Sequence, residues 1–275
     1  MNTTIDEAAR ALLALDSKVA LIGTTDDEGF PHLTFVSSLQ GLGDDQLTFG
    51  QFCTGLSKEF LPKRPDCAFL AMTADMRWLR GAARYTHTAT TGPEFDAYNN
   101  KPLFRYNSYF GFHTIWYLDL LGISGVQKLP ALNIGIGALR SRAAAPAAKR
   151  NEKQALSRIG KALFSEMVGP KFLCFTKPDG ALTIVPVIQA CCAGADRVVI
   201  SGTPFGEDLE ALPQNARVAV MALNLQLQSV LVKGTVTGKT RGAYVVDIAR
   251  VYNSMPPAAG YIYPREERPE AVSSF

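Results

Sequence analysis

The chain has 275 residues, 47% of them hydrophobic and 19% charged, with a formal net charge of +3. At roughly 150 residues per domain this gives about two domains with ample material for a core, and it excludes a disordered, collagen-like or mucin-like chain. The weak positive charge argues against nucleic acid, Met1 to Glu7 lacks the basic and apolar regions of a signal peptide, and no apolar run nears the roughly 18 residues that span a bilayer, so a cytoplasmic protein free of membrane is expected.

A helix is expected first. Ile5, Ala8, Leu12 and Leu13 fall at i, i+3, i+7 and i+8, one helical face, and Thr4 with Glu7 makes a capping box. Strands follow at Val19 to Thr24, His32 to Leu39 and Gln46 to Phe49, with an Asp27-Glu28-Gly29 turn after the first. Gly55 opens a short helix that stops at Leu61-Pro62, and two more strands run from Cys67 to Met72 and from Trp78 to Tyr85. The segment 93–150 reads as an insert and linker. Its front half carries Tyr98, Phe104, Tyr106, Tyr109, Phe110, Phe112 and Trp116, with Arg105 and Asn107 among them; Arg140 to Lys149 reads as a linker or short helix.

The pattern then returns 151 residues on. Ile5 lies over Leu156, Ala8 over Ile159, Leu12 over Leu163, Leu13 over Phe164, Gly29 over Gly180, Gly43 over Gly194, Gly55 over Gly206 and Leu61-Pro62 over Leu212-Pro213. After Met72 a slip of two residues pairs Arg80-Gly81 with Lys233-Gly234. Turns that stay in phase over such a length imply a duplication. Short hairpin-linked strands suggest small barrels, which close away their edges. The expected architecture is mainly β with peripheral helices: one copy over 1–92, the aromatic-rich insert and linker over 93–150, and a second copy over 151–275.

A helix, an Asp-Gly hairpin, a small antiparallel barrel and the run Gly55-Leu56-Ser57-Lys58-Glu59-Phe60-Leu61-Pro62-Lys63-Arg64-Pro65 together resemble the FMN-binding split barrel of the pyridoxamine 5′-phosphate oxidase-like superfamily. Ser57, Lys58, Leu61 and Pro65 stand at its motif positions, and the likeness covers both copies. It implies two tandem split β-barrels forming an intrachain pseudo-dimer, FMN at the interface between barrels, and Ser57 and Lys58 on the FMN phosphate. A helix start, a hydroxyl and a point positive charge do suit phosphate, although a capped helix with a solvated lysine carries the same residues.

In the second copy Asp208 and Leu209 replace Ser57 and Lys58, and carboxylates repel a phosphate, so one working site and one degenerate site are expected. The resemblance further places Thr34, Phe35, Val36, Ser37, Gly50 and Gln51 around the isoalloxazine ring, some through backbone groups. It puts Gln228 and Ser229 on the strand that reaches a neighbouring barrel's FMN; two exposed strand residues is the plain alternative. If the aromatic insert forms a lid, Arg105 is the candidate for an anionic substrate or the FMN phosphate; packing between barrels or in a homodimer interface is the other reading of its rings. The Arg-x-Val-Leu-Leu-Lys strand of true pyridoxamine phosphate oxidases is replaced by His32 to Ser37, and their terminal Arg-Leu-His motif is missing, so that reaction is not expected.

Five cysteines (Cys53, Cys67, Cys174, Cys191 and Cys192) without a CxxC, and three scattered histidines, argue for reduced thiols and no metal site. Gly135 to Arg140 lacks the last glycine and the context of a dinucleotide loop, and no G-x-S-x-G occurs. The expectation is an FMN-dependent oxidoreductase acting on a small molecule, as a monomer with an internal pseudo-dimer or as a homodimer. The alternatives are a flavin-, deazaflavin- or haem-binding module without turnover, with His87 or His113 on iron, and a structural protein that binds partners through the aromatic insert.

Overall fold

Seven strands follow the same order in both halves of the chain. The first sheet holds β1 (Val19–Thr25), β2 (Pro31–Phe35), β3 (Gln40–Leu42), β4 (Gln46–Gln51), β5 (Asp66–Met72), β6 (Arg77–Ala89), β7 (Thr114–Ile123) and β8 (Gln127–Lys128). The second holds β9 (Lys171–Thr176), β10 (Leu182–Pro186), β11 (Cys191–Ala193), β12 (Arg197–Ser201), β13 (Arg217–Leu223), β14 (Ser229–Thr240), β15 (Ala243–Asn253) and β16 (Gly260–Tyr263). Their orders are β2-β1-β5-β6-β7-β4-β3, with β8 beside β6, and β10-β9-β13-β14-β15-β12-β11, with β16 beside β15. The chain is mainly β and folds as two tandem split barrels. This computed structural model describes residues 1–51, 55–101, 111–224, 226, 228–253 and 260–265.

One compact unit comprises residues 1–25 and 34–129, the other 26–33 and 130–275. The segment 93–150 is therefore divided between them rather than standing apart. Its helix α3 (Pro93–Asn100) and strand β7 go with the first unit, and its helix α4 (Ala131–Ala148) with the second.

The 151-residue spacing runs further than the sequence suggested. Met72 faces Trp78 as Leu223 faces Ser229, and Phe69 faces Gly81 as Val220 faces Val232. Irregularities fall at Ala82/Ala83 and Tyr85/His87 in one unit and at Lys233/Gly234 and Val236/Gly238 in the other. There is no two-residue slip. Gly81 and Gly234 share a cause, not a register: a Cβ on either would collide with a carbonyl oxygen of the next strand, Gly122 or Asp247. Beyond β6 the spacing drops to 128, because Leu118 faces Tyr85 as Val246 faces Val236. Residues 90–113 thus form the insertion, where the second copy has only Arg241 and Gly242.

α1 (Glu7–Ala14) and α5 (Arg158–Ser165) sit at equivalent places. The cap of α1 is Asp6, accepting from Ala9 N at 2.8 Å, and not Thr4; Ser157 accepts from Gly160 N at 3.2 Å in α5. Ile5 and Leu156 precede the helices and are pinned by backbone bonds to Asp44 O and Ala195 O. The helical period restarts after them, so Ala9 and Gly160 are buried while Ala8 and Ile159 face water.

Alternation along the strands gives each barrel an inner and an outer face. Leu47, Phe49, Trp116 and Leu118 belong to the first barrel's core. The outward residues Ile115 and Tyr117 pack with Tyr98 and Phe112 of the insertion. In the second barrel Val198, Ile200, Val246 and Ile248 are core, while Val199, Ala243 and Val245 pack under Ala144 and Ala148 of α4. The described rings of the insert, Tyr98 and Phe112, are therefore packing residues on the barrel's own sheet. Phe104, Arg105, Tyr106, Asn107, Tyr109 and Phe110 lie outside the described residues. No helix among the described residues is long and apolar enough to cross a membrane.

Candidate functional site

The helix α2 (Leu56–Phe60) starts from Gly55, whose backbone is extended, and no side chain caps it. Ser57 is consequently not an N-cap. It is buried within the helix, and its hydroxyl touches that of Thr34, the penultimate residue of β2. Phe60 is buried and Leu61 enters the barrel core, which fixes the helix against the sheet. Lys58, half-buried, follows Ser57. Two hydroxyls, from residues 23 apart in the chain, thus meet, and Lys58 is the next residue along the helix.

The other expected ligand residues divide. Phe35 and Ser37 are half-buried at the end of β2. The Val36 side chain is in the barrel core, its N–H donates to Ala20 O at 2.8 Å, and its carbonyl accepts from Leu39 N at 3.1 Å. Gly50 departs from expectation. A Cβ there would run into the Phe112 ring, which covers this outward face, and Ser38 Oγ lies 3.0 Å from Gly50 N and 3.1 Å from Gly50 O. Gln51 is buried, with its Oε1 accepting from Trp116 Nε1 at 2.8 Å. These two residues serve the sheet and its cover.

Gln228 is exposed and its Oε1 accepts from Asn224 Nδ2 at 3.0 Å; Ser229 opens β14 opposite Leu223. Both are described as part of the second unit. Arg105 lies outside the described residues.

Ser38 is the site residue that the sequence reading passed over. It organises the end of β4, and its carbonyl, 2.8 Å from the Tyr98 hydroxyl, helps seat the insertion. Burial drives the Tyr98 hydroxyl's pKa up. The signal was the repeat itself: Gln189, 151 residues on, does the same work, donating from Nε2 to Ser201 O at 3.0 Å.

In the second copy the short helix α6 (Gly206–Glu210) stands at the place of α2. Glu207 and Asp208 stand in its first turn, and Leu209 is fully buried core. The corner carries two carboxylates.

His32 is buried, 4.9 Å edge-on to the Tyr252 ring, while His87 is exposed and stacks on Tyr117 at 4.3 Å. Cys67, Cys174, Cys191 and Cys192 are free thiols; burial raises Cys67 to about 12 and Cys191 to about 11, so both stay protonated near neutrality. Cys53 lies outside the described residues. Among the described residues no group of three or more His, Cys, Asp or Glu side chains is placed to hold a metal.

No model of a protein family and no curated protein matches this chain. Among solved structures it is similar to an FMN-binding protein from Syntrophomonas wolfei, at 18% identity and TM-score 0.39, over 45% of this chain and 86% of that one. It is similar to an F420 reductase at 16% identity and TM-score 0.36, over 44% and 98%. A NimC/NimA family protein from Clostridium acetobutylicum matches at 12% identity and TM-score 0.34, over 46% and 95%. At these values the fold rests on the strand order given above rather than on the likeness.

Proposed function

We propose that the first repeat binds FMN and that the protein is an FMN-dependent oxidoreductase of a small molecule. The observation that carries this reading is the corner where Thr34 and Ser57 meet beside Lys58. Hydroxyls that donate and an ammonium that supplies charge are the donor set for a phosphate monoester. The resemblance of Ser57, Lys58, Leu61 and Pro65 to the superfamily motif supports it. Phe35 and Ser37, half-buried on the same stretch, are left to meet the ring, since Gly50 and Gln51 are committed to Phe112 and Trp116.

FMN bound there supplies hydride or electron transfer through its own ring system. The chain's part is to hold the phosphate and orient the ring. The carboxylates Glu207 and Asp208 support a single such site per chain. Purification with added FMN, followed by a visible spectrum and a fluorescence titration, tests the reading. A colourless protein without measurable affinity overturns it. Affinity for coenzyme F420 in place of FMN moves the reading to a deazaflavin protein, and flavin binding without turnover of any reductant moves it to a non-catalytic module.

A further inference from the structure

The second unit contains a cleft of about 400 Å³, within the roughly 300–1,000 Å³ range of small-molecule sites. Three cations line it: Arg140 from α4, Lys239 from the end of β14 and Arg241 from the β14–β15 turn. Glu210 is the one carboxylate in the lining, and the buried Tyr244 forms a wall. Among the described residues none of the three cations forms an ion pair. Like charges gathered without neutralisation repel one another, a cost that a bound anion reverses.

The cations are held rather than merely nearby. Gly137 lets α4 lie against the loop after β12, because a Cβ there would strike the Thr203 carbonyl. Arg140 follows just under one turn later and donates from Nη1 to Thr203 Oγ1 at 2.7 Å. Arg241 donates from Nη1 to Ala143 O at 3.0 Å, which orients its planar fork. Lys239 Nζ stands 4.4 Å from the Tyr244 ring centroid. Each guanidinium keeps further N–H donors beyond the one so used, and such forks match phosphate oxygens.

We propose that this cleft binds the phosphate monoester group of a small hydroxylated metabolite through Arg140, Lys239 and Arg241. Glu210, acceptor-only, takes a hydroxyl of the same ligand and disfavours polyanions. The site belongs to the second copy alone. The long connection 90–113 stands where the first copy would need the turn, and Thr88 and Trp116 occupy the places of Lys239 and Tyr244. It is independent of the flavin reading.

Isothermal titration calorimetry of the full chain with ribose 5-phosphate, adenosine 5′-monophosphate and inorganic phosphate tests this. Both monoesters are expected to bind, inorganic phosphate more weakly, and Lys239→Gln with Arg241→Gln to weaken the monoesters by about tenfold or more. Lys128→Gln, an exposed cation of β8 that belongs to neither site, is expected to leave that binding unchanged. The two exchanged side chains are exposed, and circular dichroism confirms the fold of the variant. Absence of heat with every probe overturns the proposal. So does monoester binding that survives the double exchange or is lost with Lys128→Gln.

Discussion

Lys233 Nζ and Asp26 Oδ2 form a 2.7 Å ion pair within the second unit, with neither side chain open to water. Asp26 also holds its own turn, accepting from the N–H groups of Glu28 and Phe30 through Oδ1. A buried charge left without its partner costs far more than the pair itself gives. Lys233→Met is therefore expected to lower stability by roughly 3–5 kcal/mol in urea unfolding. The double exchange Asp26→Leu with Lys233→Met is expected to restore part of that loss. A loss under about 1 kcal/mol for Lys233→Met, the range of an exposed pair, would contradict the burial argument.

His32 lies beside that pair, and burial first, then Lys233, pushes its pKa well below 6.5. The unfolded chain takes up a proton near pH 6.5 that the folded chain refuses. This residue's contribution therefore stays constant above pH 6.5 and destabilises progressively as pH falls below it. His32→Gln is expected to shrink the difference in unfolding free energy between pH 7.5 and pH 5. An unchanged difference would show that His32 protonates in the folded state.

Lys18 and Lys171 come from positions that are not repeat equivalents, yet they do one job. Lys18 Nζ donates to Leu15 O at 2.6 Å and Lys171 Nζ to Glu166 O at 2.5 Å, the C-caps of α1 and α5, where a cation complements the helix dipole. Burial lowers both to about 8; Lys101 adds to this for Lys18, and Arg142 for Lys171. Between pH 8 and about 10.5 the unfolded chain holds the extra protons, so stability is expected to rise with pH across that window. Lys171→Met is expected to flatten part of the rise when unfolding is followed at pH 8 and pH 10.

At the proposed flavin corner, Lys58→Ala is expected to weaken FMN by about tenfold or more in a fluorescence titration. The exposed Glu207 of the second copy is the matched control, and Glu207→Ala is expected to change FMN affinity little. Leu209 is unsuitable as a control because its removal would hollow the core. Equal effects at Lys58 and Glu207 would refute the assignment of one site to the first repeat.

Two glycines of α4 predict opposite outcomes. A Cβ at Gly135 meets open space, so Gly135→Ala is expected to raise stability by about 0.5–1 kcal/mol. Gly137→Ala drives a methyl into the Thr203 carbonyl and is expected to cost roughly 1–3 kcal/mol. Thermal unfolding of the two variants separates them.

Most of the fold was legible because strands and turns obey short-range rules. The Asp-Gly turns, the apolar runs of β1, β4 and β5 and the Leu-Pro stops kept one spacing. β7 was not legible as a member of the first barrel: its pairing with β6 is held across the insertion 90–113, and no local rule carries a register over such a gap. α4 was read only as a linker or short helix, since Gly135, Gly137 and Pro146 oppose helix locally. Gly137 is explained by packing that sequence does not display. At the corner, Ser57 and Lys58 could be picked from their motif, whereas the roles of Val36, Gly50 and Gln51 depended on which face each strand residue shows and what covers it.

The outer faces of the two sheets are roofed by different means. In the first copy the roof is Tyr98 and Phe112, from a segment internal to the strand order; in the second it is α4, which precedes the repeat. The two halves have therefore ceased to be interchangeable modules. A gene fragment starting at residue 151 would encode every strand of its barrel and still leave Cys191, Val199 and Val245 as a bare, sticky wall.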